Sequence, residues 1–511
     1  MDEHATAYTF DDINILPRHY PEELWDKLLG LSRSDPIIDI TSRVSREVVL
    51  NTPILSSYMP SVTDATTAIE LARLGGMGII PREMSVHNQA AEVDRVKRAE
   101  SIVIEHPFTV LENADFTEIN ALMRQHKVGG ILVVDAIGRL KGIVTTRDME
   151  FETDERKMAS ELMTPRERLI VGNRRITEKK AEGIFRENKH IEKLPLVGRN
   201  NKLIGLVSRK TIRLRRNGIA ARDKDGRLRV AATIGIRGAN FMERAEALLA
   251  AGVDVIFLAI ANGYLPSCIH AVRELRKNFP DIDLIAGNIA DYEGARLLLS
   301  PGGGVDHGAD GVLTAIGPGS ICETQRVAGV GVPMLTSVAW AAEAAREHKA
   351  VVISDGGIRY GIPSDLGKVI LFGASAAIMG SVIAGTTEAP GDAVTIGGVQ
   401  MKQHIGLSSL TAKERLAEIE GRQASTRYDN PYEEFYYHTT GEGVESAFVP
   451  SRGSLINVLR DYVGGLRSTM TYTGSLSIED LHRHGREGGF VVVSPAGRRE
   501  GNLHGLHIER E

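Results

Sequence analysis

Arg229-Val230-Ala231-Ala232-Thr233-Ile234-Gly235-Ile236 opens a series in which short β-branched runs alternate with helix-forming segments. Val253-Asp254-Val255-Ile256-Phe257-Leu258-Ala259-Ile260 is the next run, and Leu284–Ile289, Gly311–Ile316, Val351–Ser354 and Ala376–Met379 continue it. Each gives way to Gly, Asn, Asp or Ser and then to a helix-like stretch such as Arg244–Ala251 or Pro266–Asn278. This is the rhythm of βα units around a parallel sheet. The pattern also occurs earlier, where Ile54-Leu55-Ser56-Ser57 and Met77-Gly78-Ile79-Ile80 bracket the helical Ala65–Leu74. The sheet therefore starts before residue 100, breaks off, and resumes near 229.

The interruption is internally duplicated. Gly130-Ile131-Leu132-Val133-Val134-Asp135 and Leu140-Lys141-Gly142-Ile143-Val144-Thr145 return as Leu194-Pro195-Leu196-Val197-Gly198 and Leu203-Ile204-Gly205-Leu206-Val207-Ser208. The offset is 63 residues, from Gly142 to Gly205 and from Thr145 to Ser208. Two such units resemble a tandem CBS pair, or Bateman module, which implies regulation by an adenine or guanine nucleotide. Thr145-x-x-Asp148 fits the ribose-binding pattern of that family, whereas the second copy has Ser208-x-x-Thr211 and lacks the acid. A purely structural insert is the alternative, because a pair of ββα units can be stable without binding anything.

At 511 residues the chain has room for a large core and more than one domain. Hydrophobic residues at 42% and charged residues at 25% describe an ordinary globular protein. A net charge of −5 gives no electrostatic case for nucleic acid or an anionic membrane as partner. Two cysteines, Cys268 and Cys322, are too few for a disulfide framework and point to a reducing compartment. Met1-Asp2-Glu3-His4 carries no secretion signal, and no apolar run is long enough to span a bilayer. A cytoplasmic protein is expected.

Chemistry concentrates in three turns. Gly317-Pro318-Gly319-Ser320-Ile321-Cys322-Glu323-Thr324 follows the run Gly311–Ile316. Loops at the carboxyl ends of barrel strands build active sites, and a thiol presented there is a candidate nucleophile. Cys268, on the helical stretch Pro266–Asn278, reads as an apolar core residue. Ser354-Asp355-Gly356-Gly357-Ile358-Arg359 offers a carboxylate for ribose hydroxyls with close backbone approach. Met379-Gly380-Ser381, late in the series and before a helix, matches a phosphate site. Together these turns describe a pocket for a nucleoside monophosphate. Beyond about Ile396 the alternation stops, and the aromatic, polar run from Arg427 to Tyr437 suits a mobile lid better than disorder.

The ordered set Tyr8-Thr9-Phe10-Asp11-Asp12, Gly75–Ile80, Gly226–Val230, Ala286-Gly287-Asn288, Gly317–Cys322, Asp355–Tyr360, Ala384-Gly385-Thr386 and Gly464–Ser468 resembles the IMP dehydrogenase/GMP reductase family over nearly the whole chain. The resemblance implies an α/β fold, a TIM (β/α)8 barrel with an inserted tandem CBS domain. Residues 1–100 would begin the barrel, 101–220 form the insert and 221–511 complete the barrel, with a flap at about 410–445. It implies that Cys322 attacks C2 of the purine with Thr324 beside it. Ser57, Ser320, Gly357, Gly380 and Ser381 would hold the phosphate and Asp355 the ribose, while His404, Gly406, Leu407 and Ser408 would face the base. Asn262, Gly263, Asn288 and Gly317 would meet a nicotinamide cofactor, NAD with NADP left open. Arg427-Tyr428 on the flap would activate water, and Glu442 would contact the base or carry a proton. A monovalent cation, K+, would be held by backbone carbonyls of Gly317, Gly319 and Cys322. A homotetramer or octamer is implied.

The two branches of the family leave conflicting marks. Ala261-Asn262-Gly263-Tyr264, Gly406-Leu407-Ser408-Ser409 and Arg467-Ser468-Thr469-x-Thr471-Tyr472 look like reductase patterns, whereas the long segment holding Arg427-Tyr428 looks like a dehydrogenase flap. Acidic residues expected at two family positions are Ala259 and Pro60, and His404-Ile405 stands for a Tyr-Arg pair. The expectation is oxidation at C2, of IMP to XMP or of AMP to isoguanosine monophosphate. Reduction of GMP by NADPH to IMP and ammonia is the alternative, and an inactive nucleotide sensor is the alternative of another class.

Overall fold

In the computed structural model the chain divides into two compact units, residues 1–99 with 219–511, and residues 100–218. The structure describes residues 6–20, 22, 37–99, 102–104, 107–125, 128–174, 176–215, 218–236, 241–419 and 440–501.

The first unit is built on a closed barrel of eight strands. They are β1 (Ile54–Ser56), β2 (Met77–Ile80), β3 (Val230–Ile234), β4 (Val255–Ala259), β5 (Leu284–Ile289), β6 (Gly311–Thr314), β7 (Val351–Asp355) and β8 (Ala376–Met379). Every neighbouring pair is parallel, and β8 pairs with β1, so the two strands before the insert fill the gap between β8 and β3. Helices α1 (Ala65–Arg73), α2 (Val86–Arg98), α3 (Phe241–Ala250), α4 (Pro266–Asn278), α5 (Tyr292–Leu299), α6 (Met334–Glu347), α7 (Ser364–Leu371) and α8 (Leu455–Tyr472) follow in chain order. This is the expected TIM barrel.

Successive strand residues serve opposite faces. Leu55, Ile79, Ala231, Phe257, Leu313, Ile353 and Ile378 fill the lumen, while their neighbours Ile54, Ile80, Ala232, Ile256, Val312, Val352 and Ala377 pack outward. Both faces are buried, which is why these strands read as unbroken apolar runs rather than alternating ones. Several strands end sooner than the sequence suggests: β3 at Ile234 rather than Ile236, β6 at Thr314 rather than Ile316. The surplus residues turn away from the ladder and become the rim.

Where the chain re-enters the barrel, a buried charge cluster fixes it. Lys97, near the end of α2, reaches Asp254 at 2.5 Å and Asp223 at 3.1 Å, with all three side chains under a tenth exposed.

The second unit contains two antiparallel strand pairs, Gly130–Val134 with Leu140–Thr145 and Lys193–Val197 with Leu203–Ser208. All four boundaries repeat at the 63-residue offset, as does the register shift at Val133/Val134 and Leu196/Val197. A helix follows each pair, Thr146–Met149 and Arg209–Arg215.

Beyond β8 the chain forms a three-stranded antiparallel sheet, Val394–Ile396, Val399–His404 and Ala447–Pro450, which the sequence pattern did not suggest. A helix, Leu410–Ile419, lies between the second and third strands of that sheet.

Candidate active site

The three turns singled out by sequence meet at the carboxyl ends of the barrel strands. Gly356 and Gly357 have φ of +83° and +76°, values that L side chains rarely adopt. A Cβ on Gly356 would stand 3.8 Å from Gly319 Cα, and one on Gly357 would stand 3.7 Å from the Pro318 carbonyl. The cysteine loop therefore rests on the turn after β7. A Cβ on Gly380 would stand 3.7 Å from Ser57 Cβ, so the ends of β8 and β1 also touch. Gly380 leads into a short helical turn, Ser381–Ala384. Ser57 is buried, and Ser320 is exposed on the cysteine loop.

Cys322 is exposed, whereas Cys268 is fully buried and its thiol is pushed up to about 12 by burial. The Cys322 thiol donates to Thr324 Oγ1 at 3.3 Å, and Thr324 Oγ1 donates to Glu442 Oε2 at 2.9 Å. Backbone contacts hold that line. Glu323 N–H donates to the Glu442 carbonyl at 2.7 Å, and Val444 N–H donates to the Ile321 carbonyl at 3.2 Å. The loop Gly406–Ser409 joins the same assembly, because Gly406 N–H donates to Val444 O and Glu442 N–H donates to Ser408 O. A Cβ on Gly406 would stand 2.8 Å from Val444 N, so only glycine allows the approach. Leu407 is partly buried against the barrel core.

Asp355 Oδ2 accepts from Tyr58 OH and from Asn288 Nδ2, each at 2.7 Å. Burial raises the Asp355 pKa, opposed by those two donors. Burial and the adjacent Asp355 carboxylate push the Tyr58 phenol well above its ordinary range, so it stays a donor. Both donors converge on one oxygen, which leaves Oδ1 able to accept from a diol.

Asn288 also donates to the Ala315 carbonyl at 3.1 Å, and its Oδ1 is buried without a donor. Gly263 N–H donates to the Asn288 carbonyl at 2.8 Å, which pins the loop after β4 onto β5. Asn262 is exposed and caps its own turn through Tyr264 N–H. Gly317 has φ +101° and packs on Gln325, and the Gly319 carbonyl accepts from Cys322 N–H at 3.1 Å.

His404, at the end of the second strand of the antiparallel sheet, lies 3.1 Å from Ser61 Oγ through Nδ1. Burial first, then the Arg452 charge, lower its pKa to about 4, so the ring is neutral at physiological pH. Arg452 donates to the Ser381 carbonyl and stacks 3.8 Å over the Tyr360 ring.

Arg427 and Tyr428 lie outside the described residues. Sequence reasoning missed Tyr58, Ser61, Arg82, Glu83 and Arg452. Tyr58 and Glu83 lie two and three residues past the ends of barrel strands, which was the available signal. No three His, Cys, Asp or Glu side chains gather as a metal site among the described residues, and no described helix is long and apolar enough to cross a membrane.

The family model for the IMP dehydrogenase / GMP reductase domain matches residues 7–504. An inosine-5'-monophosphate dehydrogenase from Aquifex aeolicus is 40% identical over 98% of this chain and 96% of its own length. One from Mycobacterium bovis is 36% identical over 100% of this chain and 92% of its own. Among solved structures, a cysteine-to-alanine GMP reductase from Trypanosoma brucei in complex with guanosine 5'-monophosphate superposes with a TM-score of 0.83. It is 34% identical and covers 99% of each chain. With the barrel, the rim cysteine and matches of this length in agreement, the chain belongs to the IMP dehydrogenase / GMP reductase family.

Proposed function

We propose that the chain oxidises C2 of a purine nucleoside 5'-monophosphate, converting IMP, the substrate in the names of its dehydrogenase relatives, to XMP. The observation that carries the reading is the hydrogen-bonded line Cys322–Thr324–Glu442 beside the Asp355 turn. Ser57, Ser320, Gly357, Gly380 and Ser381 hold the phosphate, Asp355 Oδ1 takes the ribose diol, and the loop from His404 to Ser408 faces the base. Cys322 sulfur adds to C2, its proton leaving along Thr324 toward Glu442. A bound nicotinamide supplies the acceptor for the hydride that then leaves C2. Water replaces sulfur at C2, giving the 2-oxo product and returning the thiol. Arg427 and Tyr428 of the flap activate that water.

The residues present suit a dinucleotide. Asn288 offers a buried acceptor with no donor, beside Gly263 and the exposed Asn262. Choice of NAD over NADP, a K+ on the carbonyls of Gly317, Gly319 and Cys322, and a homotetramer or octamer belong to this proposal. So does assignment of residues 101–220 as a CBS pair that binds a purine nucleotide, supported by the 63-residue repeat. Another GMP reductase structure from Trypanosoma brucei, in complex with guanosine 5'-triphosphate, is 32% identical, covers 96% of this chain and 99% of its own and superposes with a TM-score of 0.73.

A second reading, GMP reduction by NADPH with release of ammonia, is favoured by the reductase-like segments Ala261–Tyr264, Gly406–Ser409 and Arg467–Tyr472 and by the 0.83 superposition. Purified protein incubated separately with IMP, GMP and AMP, with NAD+ and with NADPH, decides by absorbance of the reduced nicotinamide. Appearance of NADH with IMP supports the dehydrogenase; loss of NADPH with GMP transfers the assignment to the reductase. Turnover of AMP with NAD+ would mark the 6-amino base as substrate, and silence in every arm leaves the sensor.

A further inference from the structure

Two buried acceptors on the barrel rim have no donor among the described residues, Asn288 Oδ1 and Glu83 Oε2. Glu83 lies in the turn after β2, and its side chain is only 10% exposed. Its other oxygen is 3.6 Å from Arg82 Nε, and the Arg82 guanidinium lies against Gly235, just past β3. A carboxylate oxygen in such surroundings without a donor is costly, so a group that supplies one is bound strongly. Glu83 belongs to the mouth of the barrel. Its charge and that of Arg82 act on the Tyr58 phenol, whose ring packs on the lumen layer containing Ala259.

The rim divides into two halves. Ser57, the cysteine loop, Asp355-Gly356-Gly357 and Gly380-Ser381 occupy the ends of β1, β6, β7 and β8, and the purine nucleotide takes that side. The ends of β2 to β5 remain for the second reactant. There the family's expected acid is Ala259, which can accept nothing through its side chain. Glu83 is a carboxylate on this same half.

We propose that Glu83 binds the cofactor, its free oxygen accepting a hydrogen bond from the nicotinamide nucleoside, either a ribose hydroxyl or the carboxamide NH2. Arg82 holds the other oxygen and keeps the carboxylate oriented. The assignment rests on the reading of the chain as a nicotinamide-dependent oxidoreductase.

The test is Glu83→Ala and Glu83→Gln in the full-length protein. Steady-state KM for cofactor and nucleotide is measured, together with equilibrium dialysis of NAD+ and of NADPH with and without saturating nucleotide. Glu83→Ala is expected to raise cofactor KM and Kd at least tenfold, with nucleotide Kd within threefold of the parent; Glu83→Gln, which keeps an acceptor, falls between. An unchanged melting temperature separates this from misfolding. Cofactor KM and Kd within twofold of the parent in both variants overturns the proposal. If the parent turns over no pair of substrates, the functional reading fails, and dialysis still judges Glu83 by the same limits. The 3-acetylpyridine analogue of NAD+ identifies the donor. A Glu83→Ala penalty that vanishes with this analogue assigns the carboxamide; a penalty that persists assigns the ribose.

Discussion

Thr324 gives its hydroxyl proton to Glu442 Oε2 across 2.9 Å. A hydroxyl has one proton, so Thr324 Oγ1 is left as an acceptor, and the Cys322 thiol donates to it at 3.3 Å. Sulfur, hydroxyl and carboxylate thus form a directed line, brought together from segments 118 residues apart by the Cys322–Gly443 bridge. Glu442→Gln keeps the shape of that line but removes its proton sink. We expect kcat to fall about a hundredfold, within the usual range for general acid–base groups, with nucleotide Kd nearly unchanged. A Glu442→Gln enzyme at parental kcat would remove the carboxylate from the reaction.

Cys322→Ala should abolish turnover and leave nucleotide binding intact, because the methyl cannot add to carbon while the Asp355 and Gly380 turns are untouched. Isothermal titration with IMP or GMP and a coupled assay measure the two properties on one sample. In the parent, bound nucleotide should protect Cys322 from alkylation, while buried Cys268 stays unmodified in both states.

Tyr58→Phe removes one of the two donors on Asp355 Oδ2 and leaves the ring on the lumen layer. A hydrogen bond to a charged group contributes about 1.5–3 kcal/mol. Nucleotide affinity should therefore weaken about tenfold or more, through a carboxylate that no longer holds one orientation, with kcat much less affected. A nucleotide lacking its 2'-hydroxyl should show a smaller difference between Tyr58→Phe and parent. Equal penalties for both ligands would place Tyr58 outside ribose recognition.

The barrel was legible because strands buried on both faces leave unbroken apolar runs, and α4 was read at its observed bounds because Pro266 suits the first helical turn. The antiparallel sheet after β8 went unread, although one local sign of it was present. Gly397-Gly398, both at positive φ, is a hairpin signal between Val394–Ile396 and Val399–His404. Its third strand, Ala447–Pro450, pairs with residues more than forty positions away, which no local pattern records. Cys322, Asp355 and Gly380 stood out through the glycines their turns require. Tyr58 and Glu83 carry no such mark, since Tyr58 takes its partner, Asp355, from β7 and Glu83 is set by its own neighbour Arg82.

His404 makes stability depend on pH in a direction that follows from its burial. Its pKa is lowered from 6.5 to about 4, so between those values the unfolded chain takes up a proton that the folded one refuses. Stability from this residue is therefore full above pH 7 and is lost as pH falls toward 4, by roughly 3 kcal/mol at most. His404→Gln, which cannot titrate, should show a shallower decline of melting temperature between pH 7 and 4.5 than the parent. Parallel curves would mean that another group governs this range.

Lys97 supports the barrel at the point where the chain returns from the insert, so its loss should be felt as loss of barrel stability. Lys97→Met leaves Asp254, 7% exposed, with Arg229 at 3.5 Å and Val230 N–H at 2.8 Å as its remaining partners. Removing one member of a buried charge cluster costs about 3–5 kcal/mol, because the other is stranded in low dielectric. Burial already raises the Asp254 pKa, with Lys97 as the chief opposing charge. Without Lys97 that pKa rises further, and the folded state then binds more protons than the unfolded one above pH 3.8. The variant's deficit relative to the parent should therefore narrow as pH falls from 7.5 to 5, and Asp254→Asn in the Lys97→Met background should recover part of the loss at neutral pH. A deficit that is the same at both pH values and indifferent to Asp254→Asn would show that the lysine acts through its packed methylenes and not its charge.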